Sequence, residues 1–183
     1  GQGMIYTLVS QYLMMYYTDY AYLPTLVISV IMLGGKIWDG INDTLFGLIM
    51  DKVRFKSGKR FLPWLKVAVV SIPISTVFLF SIEGVENMGL RIAAAILTYV
   101  IWDLCYTVSD APAYALPTVM TNSVKDRSTF MTFAGIGGAV AMALSAVSIP
   151  VLFDSAGFVA AGIVAAGVCF IFMRFVVVLC KER

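Results

Sequence analysis

Uncharged apolar runs recur along this chain of 183 residues, and several are long enough to cross the roughly 30 Å hydrocarbon core of a membrane. Apolar residues make up 60% of the sequence, against roughly 45–50% in a soluble domain. No run alternates with the two-residue period of a barrel strand. Because lipid offers no partner for backbone polar groups, these runs predict an all-α integral membrane protein.

The apolar runs divide the chain into six candidate transmembrane helices joined by short connections, which together form one domain over residues 1–183. We expect the helices at residues 1–18, 25–50, 62–82, 90–117, 129–150 and 156–178. The chain opens with Gly1 already inside an apolar run and stops soon after the sixth run. We therefore expect it to be a fragment of a longer membrane protein.

Basic residues lie almost entirely on one side of this map. On the opposite side, Arg91 is the one basic residue. The acidic residues of that side are Asp19, Glu83, Glu86 and Asp154. Because positive charge concentrates in cytoplasmic loops, both termini are predicted to be cytoplasmic. The basic residues on the predicted cytoplasmic side are Lys52, Arg54, Lys56, Lys59, Arg60, Lys66, Lys125, Arg127, Arg174, Lys181 and Arg183.

Composition argues against several classes of function. Histidine is absent, which removes His-based triads, imidazole proton relays and most zinc sites. Cys105, Cys169 and Cys180 stand singly, without paired spacing. The net charge of +2 is too small to indicate a nucleic-acid partner. We therefore expect no enzyme and no cofactor other than a coupling ion.

The second apolar run contains a cluster of ionisable groups, Lys36-Ile-Trp-Asp39-Gly-Ile-Asn42-Asp43. In a helix, Lys36, Asp39 and Asp43 fall within an arc of roughly 60° and share one stripe. Each such charge costs on the order of 3 kcal/mol at the bilayer centre, so the stripe requires mutual pairing, a water-filled cavity or a bound ion.

Two carboxylates one turn apart, with an amide oxygen beside them, suit a hard cation such as Na⁺. A bound Na⁺ or H⁺ would also relieve the repulsion between Asp39 and Asp43. This pattern predicts a cation site at Asp39, Asn42 and Asp43. The alternative is a structural ion-pair network, in which Lys36 neutralises one aspartate and a neighbouring helix provides a donor to the other.

The fourth apolar run has its own acidic residues, Asp103 and Asp110, on one face about two helical turns apart. Tyr106 and Tyr114 flank Asp110. A carboxylate bordered by aromatic rings suits the hydroxyl groups of a sugar, although the tyrosines alone are equally typical of core residues. Asp103 is a candidate partner for Lys36, and an intramembrane enzyme that uses Asp103 and Asp110 as an acid pair is a remote alternative.

The connection after the second run combines glycines, an acid and a basic series. It resembles the signature loop between helices two and three of the major facilitator superfamily, a gating element. A basic loop alone would indicate only the cytoplasmic side. The residues that carry the resemblance are Gly47, Asp51, Arg54, Gly58, Lys59 and Arg60.

Three blocks together resemble the glycoside-pentoside-hexuronide cation symporters, the group that contains the bacterial melibiose carrier. The blocks are Lys36-Ile-Trp-Asp-Gly-Ile-Asn-Asp43, Gly58-Lys-Arg-Phe-Leu-Pro-Trp64 and Tyr106-Thr-Val-Ser-Asp-Ala-Pro112. The resemblance implies the first six helices of a twelve-helix fold, with two inverted three-helix repeats in this half. It also implies symport of a sugar or glycoside with Na⁺, Li⁺ or H⁺ across a bacterial inner membrane, by alternating access between two six-helix halves.

The resemblance also assigns site residues. It implies that the cation is bound by Asp39, Asn42, Asp43 and Thr107, and that the sugar is bound by Asp110, Tyr106 and Tyr114. The melibiose carrier has an acidic sugar ligand early in helix one, where a simple alignment places Gly3 beside the uncharged Gln2. A second functional hypothesis remains open, namely a self-contained half-size protein that acts as a homodimeric transporter or as a non-transporting sensor or scaffold.

Overall fold

The computed structural model describes residues 2–55 and 58–180. Gly1, at which the first predicted span begins, lies outside these ranges, as do the basic residues Lys56, Lys181 and Arg183. Every regular element among the described residues is helical, which confirms the all-α prediction.

Five continuous helical elements make up the described chain. Helix α1 spans Gln2–Met15 and continues into a π-helical turn at Tyr16–Tyr20. The other helices are α2 at Thr25–Lys52, α3 at Leu62–Leu79, α4 at Met88–Met120 and α5 at Val124–Leu179.

Local sequence signals explain where several helices begin. Helix α3 has Pro63 in its first turn, where the missing N–H costs no helical hydrogen bond. The side chain of Asn87 caps α4 by accepting from the N–H groups of Gly89 and Leu90 at 2.9 and 3.2 Å. Such caps satisfy backbone donors that lack a partner within the helix.

Helix α5 is interrupted at Gly157, which has φ 83° and ψ 168°. Without the interruption, its 56 residues would extend about 84 Å, far beyond a single bilayer core. Glycine adopts this left-handed backbone without a Cβ clash. The break coincides with the start of the last predicted span, so α5 consists of a first arm before Gly157 and a second arm after it.

Helices α3, α4 and α5 are each long and apolar enough to cross a membrane. Helix α2 is also long enough, with 28 residues, but Lys36, Asp39 and Asp43 make it less apolar than these three helices. The arrangement of exactly six spans in two repeats therefore stays a prediction, whereas the membrane character of the helical bundle is confirmed.

Helix α3 packs against both α4 and α5, while α1 packs against α5 and α2 packs mainly against α4. The end of the bundle near the α1–α2 connection is filled by aromatic rings. The ring of the fully buried Tyr16 lies 5.1 Å from that of Phe80 and 5.3 Å from that of Phe158, measured between centroids. These contacts join the π-helical turn, the end of α3 and the second arm of α5.

Arg91, the basic residue that breaks the charge asymmetry, has a structural role. Its side chain donates to the carbonyl oxygens of Ala21 at 2.9 Å and Val85 at 2.7 Å. Those carbonyls belong to two different connections, α1–α2 and α3–α4. Arg91 therefore ties the two connections together at the end predicted to face away from the cytoplasm.

Two apolar helix faces are left open by this packing. On α2, the side chains of Leu33 and Ile37 are exposed, and on the first arm of α5 so are those of Phe133, Leu144 and Val147. Both faces consist of large apolar residues, which a membrane protein buries in lipid or against further helices.

Candidate functional site

Helices α2 and α4 approach each other closely at Gly35. A Cβ atom at this position would lie only 2.4 Å from the nearest ring carbon of Tyr99, so only glycine fits beside that ring. Asp39 follows Gly35 by one helical turn, and Asp103 follows Tyr99 by one turn. The close contact thus brings the charged stripe of α2 beside the acidic face of α4.

One turn further along, the two helices are joined by a buried hydrogen-bond network around Asn42. The Asn42 amide nitrogen donates to Asp103 Oδ2 at 3.0 Å and to Thr107 Oγ1 at 2.9 Å. The Thr107 hydroxyl in turn donates to Asp43 Oδ1 at 3.0 Å. Asn42, Asp103 and Thr107 are all buried, with exposed fractions of 5%, 4% and 3%. Together with Asp43, these three residues form what we call the Asn42 network.

The Asn42 network contains two carboxylates, those of Asp43 and Asp103, and no basic side chain. The carboxylates of Asp39 and Asp43 both lie near enough to Asp103 to act on it electrostatically. Carboxylate, hydroxyl and amide oxygens are ligands that hard cations prefer, and clustered carboxylates repel each other unless a cation or proton lies between them. Among the described residues, however, no three Asp, Glu, His or Cys side chains converge as a metal-ion centre. Any cation here would also need oxygens from residues such as Thr107 or Asn42.

Lys36 does not pair with Asp103 in this structure. The Lys36 side chain is exposed and forms no ion pair with a described residue. Asp103 instead accepts a hydrogen bond from Asn42. This uncharged donor satisfies one oxygen of the carboxylate.

The predicted sugar residues lie further along α4, where α1 packs beside it. Gln2 donates from its amide nitrogen to Asp110 Oδ1 at 3.1 Å. Tyr106 stacks on Trp102, with centroids 5.2 Å apart and planes inclined by 24°, and its ring lies 5.7 Å from that of Tyr6. Asp110 and Tyr106 are thus brought together with residues of α1.

Tyr114, the other predicted sugar residue, is placed differently. Its side chain is 64% exposed and lies one turn beyond Asp110 on α4. It is therefore accessible on the same side of α4, but no described aromatic ring packs against it.

Three residues that contact Asp110 or Tyr106 are assigned no role by the sequence: Gln2, Tyr6 and Trp102. Tyr6 follows Gln2 by one turn on α1, and Trp102 precedes Tyr106 by one turn on α4. This spacing puts each pair on one helix face. The periodicity alone did not show that the two faces meet.

The two predicted sites are not electrically independent. Asp39 and Asp43 of α2 both act electrostatically on Asp110, the carboxylate to which Gln2 donates. Occupation of one site by a cation would therefore alter the field at the other.

The predicted gating loop lies away from both sites, at the α2–α3 connection. Asp51 pairs with Arg60, whose guanidinium also lies 5.3 Å from the centre of the Phe61 ring. Gly58 has a left-handed backbone with φ 72°, while Arg54 and Lys59 are exposed and Gly47 lies within α2. The loop residues thus share one end of α2 and α3.

A family model described as MFS/sugar transport protein matches residues 1–183 of this chain. The symporter YjmB of Bacillus subtilis is 32% identical over 151 residues, which are 81% of this chain and 32% of the relative. The inner membrane symporter YicJ of Escherichia coli is 32% identical over 71% of this chain and 28% of its own length. The isoprimeverose transporter of Lactiplantibacillus pentosus is 24% identical over 82% of this chain and 31% of its own length.

The chain spans about a third of the length of the relatives that it matches. These relatives are named as symporters or transporters, which are membrane proteins and not enzymes. The match over the whole chain and the agreement among the relatives confirm the family that the sequence resembled. The chain belongs to the MFS/sugar transport protein family and, within it, to the glycoside-pentoside-hexuronide cation symporters.

Proposed function

We propose that this chain forms the N-terminal six-helix half of a bacterial transporter that moves a sugar or glycoside together with a monovalent cation by alternating access. The observation that carries the proposal is the Asn42 network, because it joins two helices through uncharged donors while no described basic side chain pairs with its two carboxylates. A purely structural polar cluster in a membrane would be expected to balance its own charge.

The cation, Na⁺, Li⁺ or H⁺, would bind at Asp39, Asn42, Asp43 and Thr107. Thr107 donates its only proton to Asp43, so its second lone pair and the Asn42 amide oxygen are available for the cation. Neutralising Asp39 and Asp43 would remove the repulsion that otherwise drives α2 and α4 apart. Binding of the cation would therefore favour the closely packed arrangement.

The sugar would bind at Asp110, with Tyr106 and Tyr114 providing apolar ring faces. One oxygen of Asp110 accepts from Gln2, which leaves the other oxygen free to accept from a sugar hydroxyl. The name of the isoprimeverose transporter makes a disaccharide of that kind a reasonable first substrate to test.

A second half would complete the cavity. The open apolar faces of α2 and the first arm of α5 give it a surface to pack against, and the relatives have about three times the matched length. The loop residues Gly47, Asp51, Arg54, Gly58, Lys59 and Arg60 would then act as a gate at the cytoplasmic end. In this arrangement both termini of the present chain lie in the cytoplasm.

The proposal is tested by uptake of labelled isoprimeverose into cells that express the full-length transporter, with Na⁺ or K⁺ as the only added monovalent cation. We expect Asp43→Cys to abolish the stimulation by Na⁺, because it removes the carboxylate at the end of the Asn42 network. Asp19→Asn is the matched control, since it removes an exposed acid outside the network. Undiminished Na⁺ stimulation in Asp43→Cys would refute the cation-site assignment.

A further inference from the structure

A small pocket lies behind Asp110, between α1, α3, α4 and the second arm of α5. Its volume is about 80 Å³, and its polar lining consists of Gln2 and Ser109. Leu65, Met173 and Val177 are among the apolar side chains that close the rest of it. We call it the Ser109 pocket.

The hydroxyl of Ser109 needs a partner that the described residues do not provide. The side chain is completely buried, and its oxygen forms no hydrogen bond with a described residue. Helical serines usually donate to the carbonyl four residues earlier, as Ser29, Ser145 and Ser155 do here at 3.0, 2.6 and 2.7 Å. Ser109 does not use the corresponding carbonyl of Cys105, and the residue lines the pocket.

Gln2 brings a second polar group to the same pocket. Its amide nitrogen donates to Asp110, and its side chain also lies within reach of the Tyr106 hydroxyl. An amide oxygen has two lone pairs, so it can accept a further hydrogen bond from a molecule in the pocket. The pocket therefore holds a hydroxyl and an acceptor, and a molecule that both donates and accepts would satisfy them. A buried polar group without a partner is destabilising, so such an occupant is favoured.

The size and charge of the pocket select among possible occupants. None of the described residues that line it carries a charge, so these residues offer an ion no counter-charge. At about 80 Å³ it is also well below the roughly 300 Å³ of a typical small-molecule site. Water fits, because one molecule takes about 30 Å³ of liquid volume and needs two or more polar partners.

We propose that the Ser109 pocket binds ordered water, which hydrogen bonds to Ser109 Oγ and donates to the amide oxygen of Gln2. Water at that oxygen holds the Gln2 amide with its nitrogen turned toward Asp110. Ser109 is thus a positioning residue for the Asp110 region. Its effect on sugar binding rests on the proposed role of Asp110, whereas the water site itself does not.

The water site is tested on the full-length protein by X-ray radiolytic hydroxyl-radical labelling, which oxidises side chains that adjoin bound water. Met173 lines the pocket and is only 7% exposed, so bulk solvent alone would label it slowly. We expect its oxidation rate to fall severalfold in Ser109→Ala and to be retained in Ser109→Thr. Ser145→Ala is the control, because this buried serine already donates to its own helix.

Oxidation of Met173 at equal rates in the wild-type protein and Ser109→Ala would overturn the water site. A high-resolution structure in which Ser109 donates to the Cys105 carbonyl and the pocket holds no water density would overturn it as well. These outcomes do not depend on any sugar, so they are distinct from a failure of the proposed transport function.

The positioning role is tested by titrating the purified transporter with isoprimeverose. Loss of one bridging hydrogen bond is expected to weaken binding about fivefold in Ser109→Ala, with recovery in Ser109→Thr and no change in Ser145→Ala. Unchanged affinity in a Ser109→Ala protein that has lost Met173 labelling would overturn the link between the pocket and Asp110.

Discussion

Substitution of Gly35 by alanine is expected to separate α2 from α4 at the proposed cation site. The new Cβ would lie 2.4 Å from one ring carbon of Tyr99 and 2.8 Å from a second. Carbon atoms pack at about 3.5–4.0 Å, so the helix or the ring must move by about 1 Å or more. Tyr99 is 8% exposed and its ring lies 6.4 Å from that of Trp102, which restricts escape of the ring.

The neighbouring Gly34 offers a matched control on the same helix. A Cβ there would meet nothing within 4 Å, and Gly34→Ala gains the same helix propensity of about 1 kcal/mol. The difference between the two variants therefore isolates the overlap with Tyr99. Since overpacking costs about 1–3 kcal/mol, we expect the free energy of unfolding of Gly35→Ala to be lower than that of Gly34→Ala by this amount.

The same movement would break the Asn42 network. Asn42 follows Gly35 by two turns, and its bonds of 2.9 and 3.0 Å to Thr107 and Asp103 would lengthen to about 4 Å, beyond hydrogen-bonding range. With both bonds lost, the Na⁺ concentration that gives half-maximal stimulation of uptake is expected to rise about tenfold. If Gly35→Ala and Gly34→Ala show the same thermal midpoint and the same Na⁺ dependence, the close approach of the helices does not set the geometry of the site.

Two further predictions concern residues that join separate parts of the bundle. Asn42→Ala leaves the buried Asp103 without its amide donor, so the free energy of unfolding should fall by about 1–3 kcal/mol. Na⁺ should also no longer raise the thermal midpoint of this variant, and a preserved Na⁺ shift would contradict this. Arg91→Met removes the hydrogen bonds to the connections at Ala21 and Val85, so the free energy of unfolding should fall by about 1–3 kcal/mol. Arg174→Met, at an exposed position, should change the thermal midpoint little. Equal thermal midpoints for the two variants would contradict the role of Arg91.

The sequence predicted the helices and their polar faces, because both depend on residues that are near one another in the sequence. The stripe of Asp39 and Asp43 is a property of α2 alone, and the periodicity of one helix is enough to place it. The break at Gly157 lies at the predicted start of the last span, although the sequence did not predict that the two last spans would be joined by a single left-handed residue.

The sequence could not predict which helix would cover each face. Gln2 and Asp110 are 108 positions apart, and they meet only because α1 and α4 converge in the folded bundle. The partner of Asp103 depended on the same kind of information. The sequence predicted Lys36 as a candidate partner of Asp103, whereas in the structure Asp103 accepts from the amide of Asn42.

In the proposed function, helix α4 would provide the physical link between the cation and the sugar. Asp103 and Thr107 face α2, and Asp110 lies one turn beyond Thr107 on the same rigid helix. A cation that draws α2 toward α4 would therefore change the position and the field of Asp110 together. Because coupling free energy is reciprocal, a sugar that fixes Asp110 must strengthen cation binding by the same factor. Variants that disturb only the α2–α4 contact should accordingly weaken both affinities, even though they touch no atom of the sugar site.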